Sequence, residues 1–185
     1  AAGSATGLYK YPTCINELTG DAYFMAYEAG ATLKNMEFLQ FSANPLSREG
    51  THIRTGGLKP LTAGGIRWIN SLGERIMEKY DPERLELTHW AKNIYAIYAE
   101  MKEGRKVYMD MSYVPEGVYD NWEKQGKSGT VGILKTVGID PRRELVQWIP
   151  GLHVFLGGAI INERGETSVP GLYAAGESAG HGGIF

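Results

Sequence analysis

What this sequence lacks narrows it first. It holds one cysteine, Cys14, so no intrachain disulfide can form, and a reducing compartment, the cytoplasm, is the expected location. Histidine is scarce too, with four in the chain, and no Cys/His cluster has the spacing of a structural zinc site, so no metal is expected. Neither sign of charge dominates: 19 Lys and Arg against 21 Asp and Glu leave a formal charge of -2, which exerts no long-range pull on nucleic acid or anionic lipid. No apolar run is long enough to span a bilayer, and nothing resembles a signal peptide. Internal repeats and low-complexity tracts are missing as well.

Glycine, in contrast, is plentiful. There are 25 in 185 residues, about twice the usual share, and they cluster as Gly56-Gly57, Gly64-Gly65, Gly157-Gly158 and Gly182-Gly183. Pairs of this kind serve where backbone turns tightly or lies against something flat. Hydrophobic content of 43% and charged content of 22% are ordinary for a globular protein. The length suits one full domain, or a domain with part of another.

Along the chain, "AAGSATGLYKYP" reads as the end of a strand entering a loop. A helix is expected over Ala22 to Ala29, with Thr19 or Asp21 as N-cap and Gly30 as the left-handed residue that ends it. Met36 to Phe41 reads as a short strand. From Ser42 to about Leu61 the polar, Gly- and Pro-rich composition predicts a long loop or lid. A hairpin is expected about the turn "NSLG" between Ile66 and Tyr80. The strongest helix signal follows, because Leu87, Trp90 or Ala91, Ile94, Ile97, Tyr98 and Met101 recur at three- and four-residue steps, with Gly104 closing the run. "KVYMDMS" reads as a strand, "GTVGILKTVGID" as a shorter helix and "ELVQWIP" as another strand. "LHVFLGGAIIN" and "TSVPGLYAAGE" are expected to pair about the turn "ERGE". The fold class is therefore α+β, with the two ends of the chain expected to belong to one sheet and residues from about Ser42 to Pro150 inserted as a second lobe, the arrangement that places clefts between lobes.

Three stretches together, "AAGSATGLY", "TGDAYFMAYEAGATLKNMEFLQF" and "HVFLGGAIINERGETSVPGLYAAGESAGHGGIF", resemble the flavoprotein subunits of the fumarate reductase, succinate dehydrogenase and L-aspartate oxidase family. The likeness is strong over Thr19 to Phe41 and His153 to Phe185, and topological between. It implies a capping domain, residues 44–150, inserted into an α/β FAD-binding domain of which 1–43 and 151–185 are slices. It implies FAD as cofactor and hydride transfer between flavin and a small carboxylate-type substrate. Partners implied are that substrate, the rest of the flavoprotein and an electron-transfer partner. The Gly-x-Gly-x-x-Gly turn that grips pyrophosphate in such proteins is absent from this stretch, which marks the chain as a fragment, inactive when isolated. The alternatives are a non-catalytic folding or interaction fragment, whose cut faces pair with a second copy, and a flavin-binding member without turnover.

The resemblance assigns roles residue by residue. Glu177, in "GLYAAGE", would take the place of a carboxylate that hydrogen-bonds the ribityl chain of FAD, and Gly176, Gly182 and Gly183 would let backbone approach the flavin. His153, in "HVFLGG", matches a histidine that binds a substrate carboxylate, and Gly157 and Gly158 would let the turn pass close to the ring. Read from the residue alone, His153 is otherwise a core histidine satisfied by backbone. Thr62 stands where a Thr-Glu pair is expected, with Ala63 in place of the glutamate. "EFLQF" is followed by Ser42-Ala43-Asn44-Pro45 where the family has His-Pro-Thr, and Trp90 stands at the acid/base arginine. These three departures argue against a plain C4 dicarboxylate as substrate. Arg54 or Arg67 is a candidate displaced cation, and His52 or His89 a candidate displaced acid, each alternatively a solvated residue. The four tryptophans are read as packing.

Overall fold

The computed structural model describes residues 1–55, 58–126 and 129–180. The chain divides into two units, Ala1–Phe41 with Gly151–Phe185 and Ser42–Pro150. Among the described residues, no helix is long and apolar enough to cross a membrane.

In the first unit, Thr6–Leu8 forms a turn of 3-10 helix rather than the end of a strand. Helix α1 (Asp21–Glu28) starts from Gly20 at φ 93 with no side-chain cap. Thr19 donates its hydroxyl to Asp21 Oδ2 at 3.2 Å, so neither expected residue caps. Asp21 instead places its charge in the first turn, where the helix dipole favours an anion. Gly30 ends the helix as expected, at φ 86. Its N–H reaches the Tyr27 carbonyl at 2.8 Å and the Ala31 N–H reaches Ala26 at 2.9 Å, the paired closure of a Schellman motif.

The strand expected at Met36 to Phe41 is displaced to either side. Strand β1 is Leu33–Lys34, Asn35 then adopts φ 56, and β2 (Leu39–Pro45) begins only after that reversal. Its first residues belong to the first unit. The expected terminal strand pair does not form either. Leu152 and Phe155 belong to β5 (Val146–Phe155), while β6 (Gly158–Ala159) pairs antiparallel with β1 in the register Leu33↔Ala159. The "ERGE" turn does close, from Asn162 N–H to the Glu166 carbonyl at 3.1 Å, but beyond it pairing is limited to a bridge between Glu166 and Tyr173. Ala5, Tyr23, Leu152 and Phe155 form the core of this unit, with Leu33, Met36 and Leu39 against it.

The second unit carries the larger core. Strands β3 (Arg67–Asn70), β4 (Val107–Asp110) and β5 lie in a sheet of order β2-β5-β4-β3, with Trp68 opposite Met109 and Val107 opposite Trp148. Alternation along β4 buries Val107 and Met109 and leaves Tyr108 and Asp110 half-buried. Trp68 and Trp148 meet edge to face, 5.6 Å between ring centroids, and Trp122 is buried with them while Trp90 packs against the cluster.

The stretch from Ser42 to Leu61 is more ordered than its composition predicts. Strand β2 continues to Pro45, Leu46 bridges His52, and α2 (Leu58–Ala63) buries Leu58 and Leu61. Gly56 and Gly57 lie outside the described residues. The "NSLG" turn forms because Asn70 Oδ1 accepts from the Leu72 and Glu74 N–H groups at 3.0 Å. The returning arm makes one bridge, Ile69 to Arg75, and then enters α3 (Met77–Tyr80) instead of a strand.

Helix α4 (Trp90–Lys102) buries Asn93, Ile94, Ala96, Ile97 and Glu100. Leu87, Tyr98 and Met101, expected on the inner face, are exposed. The helix is rolled toward two polar residues that complete the sheet: Asn93 Oδ1 accepts from Trp68 Nε1 at 3.0 Å, and Glu100 Oε2 from Asn70 Nδ2 at 2.9 Å. Helix α5 (Glu116–Lys124) has no counterpart among the expected elements, and α6 (Thr130–Thr136) is shorter than its predicted span.

Candidate functional site

The end of β5 organises the first unit. Leu152 donates its N–H to the Tyr11 carbonyl at 2.9 Å and accepts from Thr13 N–H at 2.8 Å, so residues 11–13 run beside it as a parallel bridge. Leu152 is buried, and the next side chain, His153, faces solvent. The core-histidine reading of His153 therefore fails. Its Nδ1 lies 2.6 Å from Thr13 Oγ1, and the Cys14 thiol donates to its backbone carbonyl at 3.6 Å. Burial of its surroundings lowers the imidazole below its ordinary 6.5, while the Glu177 charge pulls the other way.

Glu177 stands on a 3-10 turn, Gly176–Ser178, that follows Gly176 at φ 69. Its Oε1 accepts from the Phe155 N–H at 2.9 Å, and its carbonyl accepts from the Tyr23 hydroxyl at 3.1 Å. Tyr23 also packs on Phe155, 5.8 Å between rings. Burial, with the Glu177 charge second, pushes the Tyr23 phenol well above its ordinary value. So Glu177 is tied to the same strand end that presents His153. Gly182 and Gly183 lie outside the described residues.

Gly157 and Gly158 do something other than expected. A Cβ at Gly157 would stand 2.3 Å from the Asn35 carbonyl oxygen, and one at Gly158 2.5 Å from that of Ser178. Their lack of side chains admits the chain's own backbone on both sides, closed by Gly180 N–H to the Ala159 carbonyl at 2.8 Å. The space they free is filled by protein.

Thr62 belongs to the second unit, on α2, where its hydroxyl donates to the Lys59 carbonyl at 3.0 Å. His89 is the N-cap of α4, accepting from Ala91 N–H at 3.4 Å. Arg67 stacks on the Tyr113 ring at 3.3 Å. Burial, with the Arg54 charge second, holds the His52 imidazole below its ordinary range. A cleft of about 700 Å³ in this unit is lined by Arg67, Asn70, Arg75, Glu100, Asp110 and Tyr113 among others. Its buried charges serve the fold: Arg75 grips Glu86 through Nε at 3.2 Å and Nη2 at 2.5 Å, and Glu100 accepts from Asn70, Lys79, Tyr80 and Arg105.

Sequence reasoning missed Thr13, Cys14 and Tyr23. Nothing near "YPTC" announces a partner in sequence, because His153 is 140 positions away.

The sequence profile described as the FAD binding domain matches residues 2–184. The chain belongs to the FAD-binding domain family. Within this family it is 40% identical to an uncharacterized FAD-dependent oxidoreductase of Methanocaldococcus jannaschii, over 97% of this chain and 33% of that protein. It is 37% identical to a subunit of the fumarate reductase (CoM/CoB) of Methanothermobacter marburgensis, over 97% and 33%, and 34% identical to the L-aspartate oxidase of Bacillus subtilis, over 97% and 32%. Among solved structures, a quinol-fumarate reductase with menaquinol superposes at a TM-score of 0.78 with 25% identity, over 97% of this chain and 33% of that one. A substituted E. coli quinol fumarate reductase gives 0.76 with 27%, over 98% and 34%. The chain thus spans about a third of the length of these relatives.

The cofactor of the family is FAD, and the residues present fit it. Among the described residues, one oxygen of Glu177 is engaged, by Phe155 N–H, which leaves the other to accept from a hydroxyl. Beside it, nothing lies within 4 Å of where a Cβ of Gly176 would stand. A half-engaged carboxylate next to open backbone suits a polyhydroxylated chain.

Proposed function

We propose that this chain is part of an FAD-dependent oxidoreductase that moves hydride between flavin and a small carboxylate-bearing substrate. Residues 42–150 then act as the cap over the substrate, and the first unit contributes slices of the FAD-binding domain. The observation that carries the reading is the pairing on β5: Glu177 is pinned to the backbone of Phe155, two residues from the solvent-facing His153. The carboxylate proposed to hold the cofactor and the imidazole proposed to hold substrate thus share one strand end, which supports the preorganisation such chemistry needs.

FAD supplies the hydride acceptor or donor when bound. The chain's own residues do the rest. Glu177 would accept a hydrogen bond from a ribityl hydroxyl, the turn at Gly176 would let backbone approach the flavin, and His153 would hold a substrate carboxylate. Thr62 would help to orient substrate. The substrate differs from a plain C4 dicarboxylate, because Ser42-Ala43-Asn44, Ala63 and Trp90 replace groups that would hold one. On α1, Phe24, Met25 and Tyr27 are 63, 56 and 67% exposed, an apolar face of the size that buries against further protein, and the rest of the flavoprotein is the expected cover. An electron-transfer partner would then reoxidise or reduce the flavin.

The test is the full-length protein. Purified gently, it should carry a yellow flavin chromophore with the two visible bands of FAD. Glu177→Ala should lower FAD affinity about tenfold or more, the loss of a hydrogen bond to a charged group, read by fluorescence titration of the apoprotein. A colourless wild-type protein that also fails to take up added FAD would end this reading.

A further inference from the structure

The geometry points to Thr13 as a positioning residue that fixes His153 as the Nε2–H tautomer, so that the outward nitrogen is a donor for a carboxylate oxygen. This rests on the reading of His153 given above and adds a residue that the reading did not contain. The first step is local. Thr13 is held by its own backbone, through its N–H to Leu152 at 2.8 Å and the bridge between Pro12 and Leu152, so its hydroxyl is delivered to the imidazole by a fixed frame.

The second step concerns protons. A threonine hydroxyl has one to give, and two acceptors lie near it: His153 Nδ1 at 2.6 Å and Cys14 Sγ at 3.9 Å. The imidazole nitrogen is the nearer and much the stronger acceptor, and the Cys14 thiol hydrogen is directed to the His153 carbonyl at 3.6 Å. Were Nδ1–H the donor instead, the hydroxyl proton would be left, among the described residues, only the sulfur at 3.9 Å, so Thr13 O–H is assigned to Nδ1 and the ring proton to Nε2.

The third step concerns function. A neutral imidazole whose outward nitrogen lacked a proton would repel a carboxylate, lone pair against lone pair; with Nε2–H it donates. Because burial lowers the imidazole below its ordinary 6.5, the neutral form prevails at physiological pH, and the tautomer decides whether the site binds. Thr13 thus keeps a donor in place where charge does not.

The experiment uses the full-length, FAD-loaded protein with nitrogen-labelled histidine, His153 being assigned by difference against His153→Gln. The wild type should show a bare, pyridine-type Nδ1 and a protonated Nε2. Thr13→Val should mix the two tautomers and weaken malonate, a simple carboxylate probe followed by the flavin spectrum, about three- to tenfold. Thr13→Ser should restore both readouts, which a merely structural role of the threonine methyl would not allow. A proton on Nδ1 in the wild type, or a tautomer ratio unchanged in Thr13→Val, overturns the proposal. Malonate affinity unchanged in His153→Gln overturns the reading of His153 beneath it, and is told apart because the nitrogen shifts of the wild type and of Thr13→Val, recorded without malonate, decide the role of Thr13.

Discussion

Single residues already separate what was legible from what was not. Glu177 and His153 could be proposed from sequence because the residues flanking each form a local motif, whereas Thr13 meets His153 across 140 positions and Gly157 packs against a carbonyl supplied by Asn35. Neither contact leaves a trace in nearby sequence. Gly157→Ala should cost about 2 kcal/mol or more, since the added methyl meets fixed backbone instead of a side chain that can swing away; a urea midpoint equal to wild type would refute that. The titration of His153 has a definite sign. Burial sets its midpoint below 6.5 and Glu177 opposes that, so Glu177→Gln should lower the midpoint further, as followed by NMR. The associated stability is present above 6.5 and is lost as pH falls through the folded midpoint. The side chain faces solvent, so that contribution is small.

At the scale of elements, periodicity located α4 and β4 and the burial of Ile94 and Ile97, but missed how far α4 is rolled. Apolar spacing favoured Leu87, Tyr98 and Met101, yet Asn93 and Glu100 are buried because sheet and turn groups need their hydrogen bonds. Hydrophobic patterning does not register a buried carboxylate with four donors. Burial alone would raise the Glu100 carboxyl, but Asn70, Tyr80, Lys79 and Arg105 together hold it below its ordinary value. Glu100→Gln should destabilise the second unit by about 1–3 kcal/mol, read as a lower urea midpoint. Helix α5 escaped notice although Tyr119 and Trp122 lie three apart on its buried side, a short signal diluted by its polar neighbours. Asp81 gives the unit an acid limit. Hydrogen bonds from Thr88 and then Lys92 hold its carboxyl at about 2, so its contribution is present above the ordinary 3.8 and fades as pH falls toward 2. Asp81→Asn should flatten that part of the acid denaturation curve.

For the whole molecule, the mixed α and β character was readable from the order of elements, while the strand pairing was not. Two-residue strands such as β1 and β6 carry too little pattern to predict. The second unit holds the larger core entirely within its own residues, so residues 42–150 produced alone should unfold in one cooperative transition by calorimetry. The first unit depends on residues from both chain ends and exposes Leu8, Phe24, Met25 and Tyr27. The 185-residue chain alone should therefore associate as concentration rises, seen by light scattering.

The tie between Glu177 and Phe155 spans 22 positions, and that between Tyr23 and Glu177 spans 154. A ribosome delivers residues 42–150 before either tie can close. The inserted unit is then free to fold while the first forty residues wait, held open beside the exit tunnel until the last strand and its glutamate emerge. Sequence order thus differs from the order of assembly, and the unit that carries Glu177 is the last part of this stretch to close.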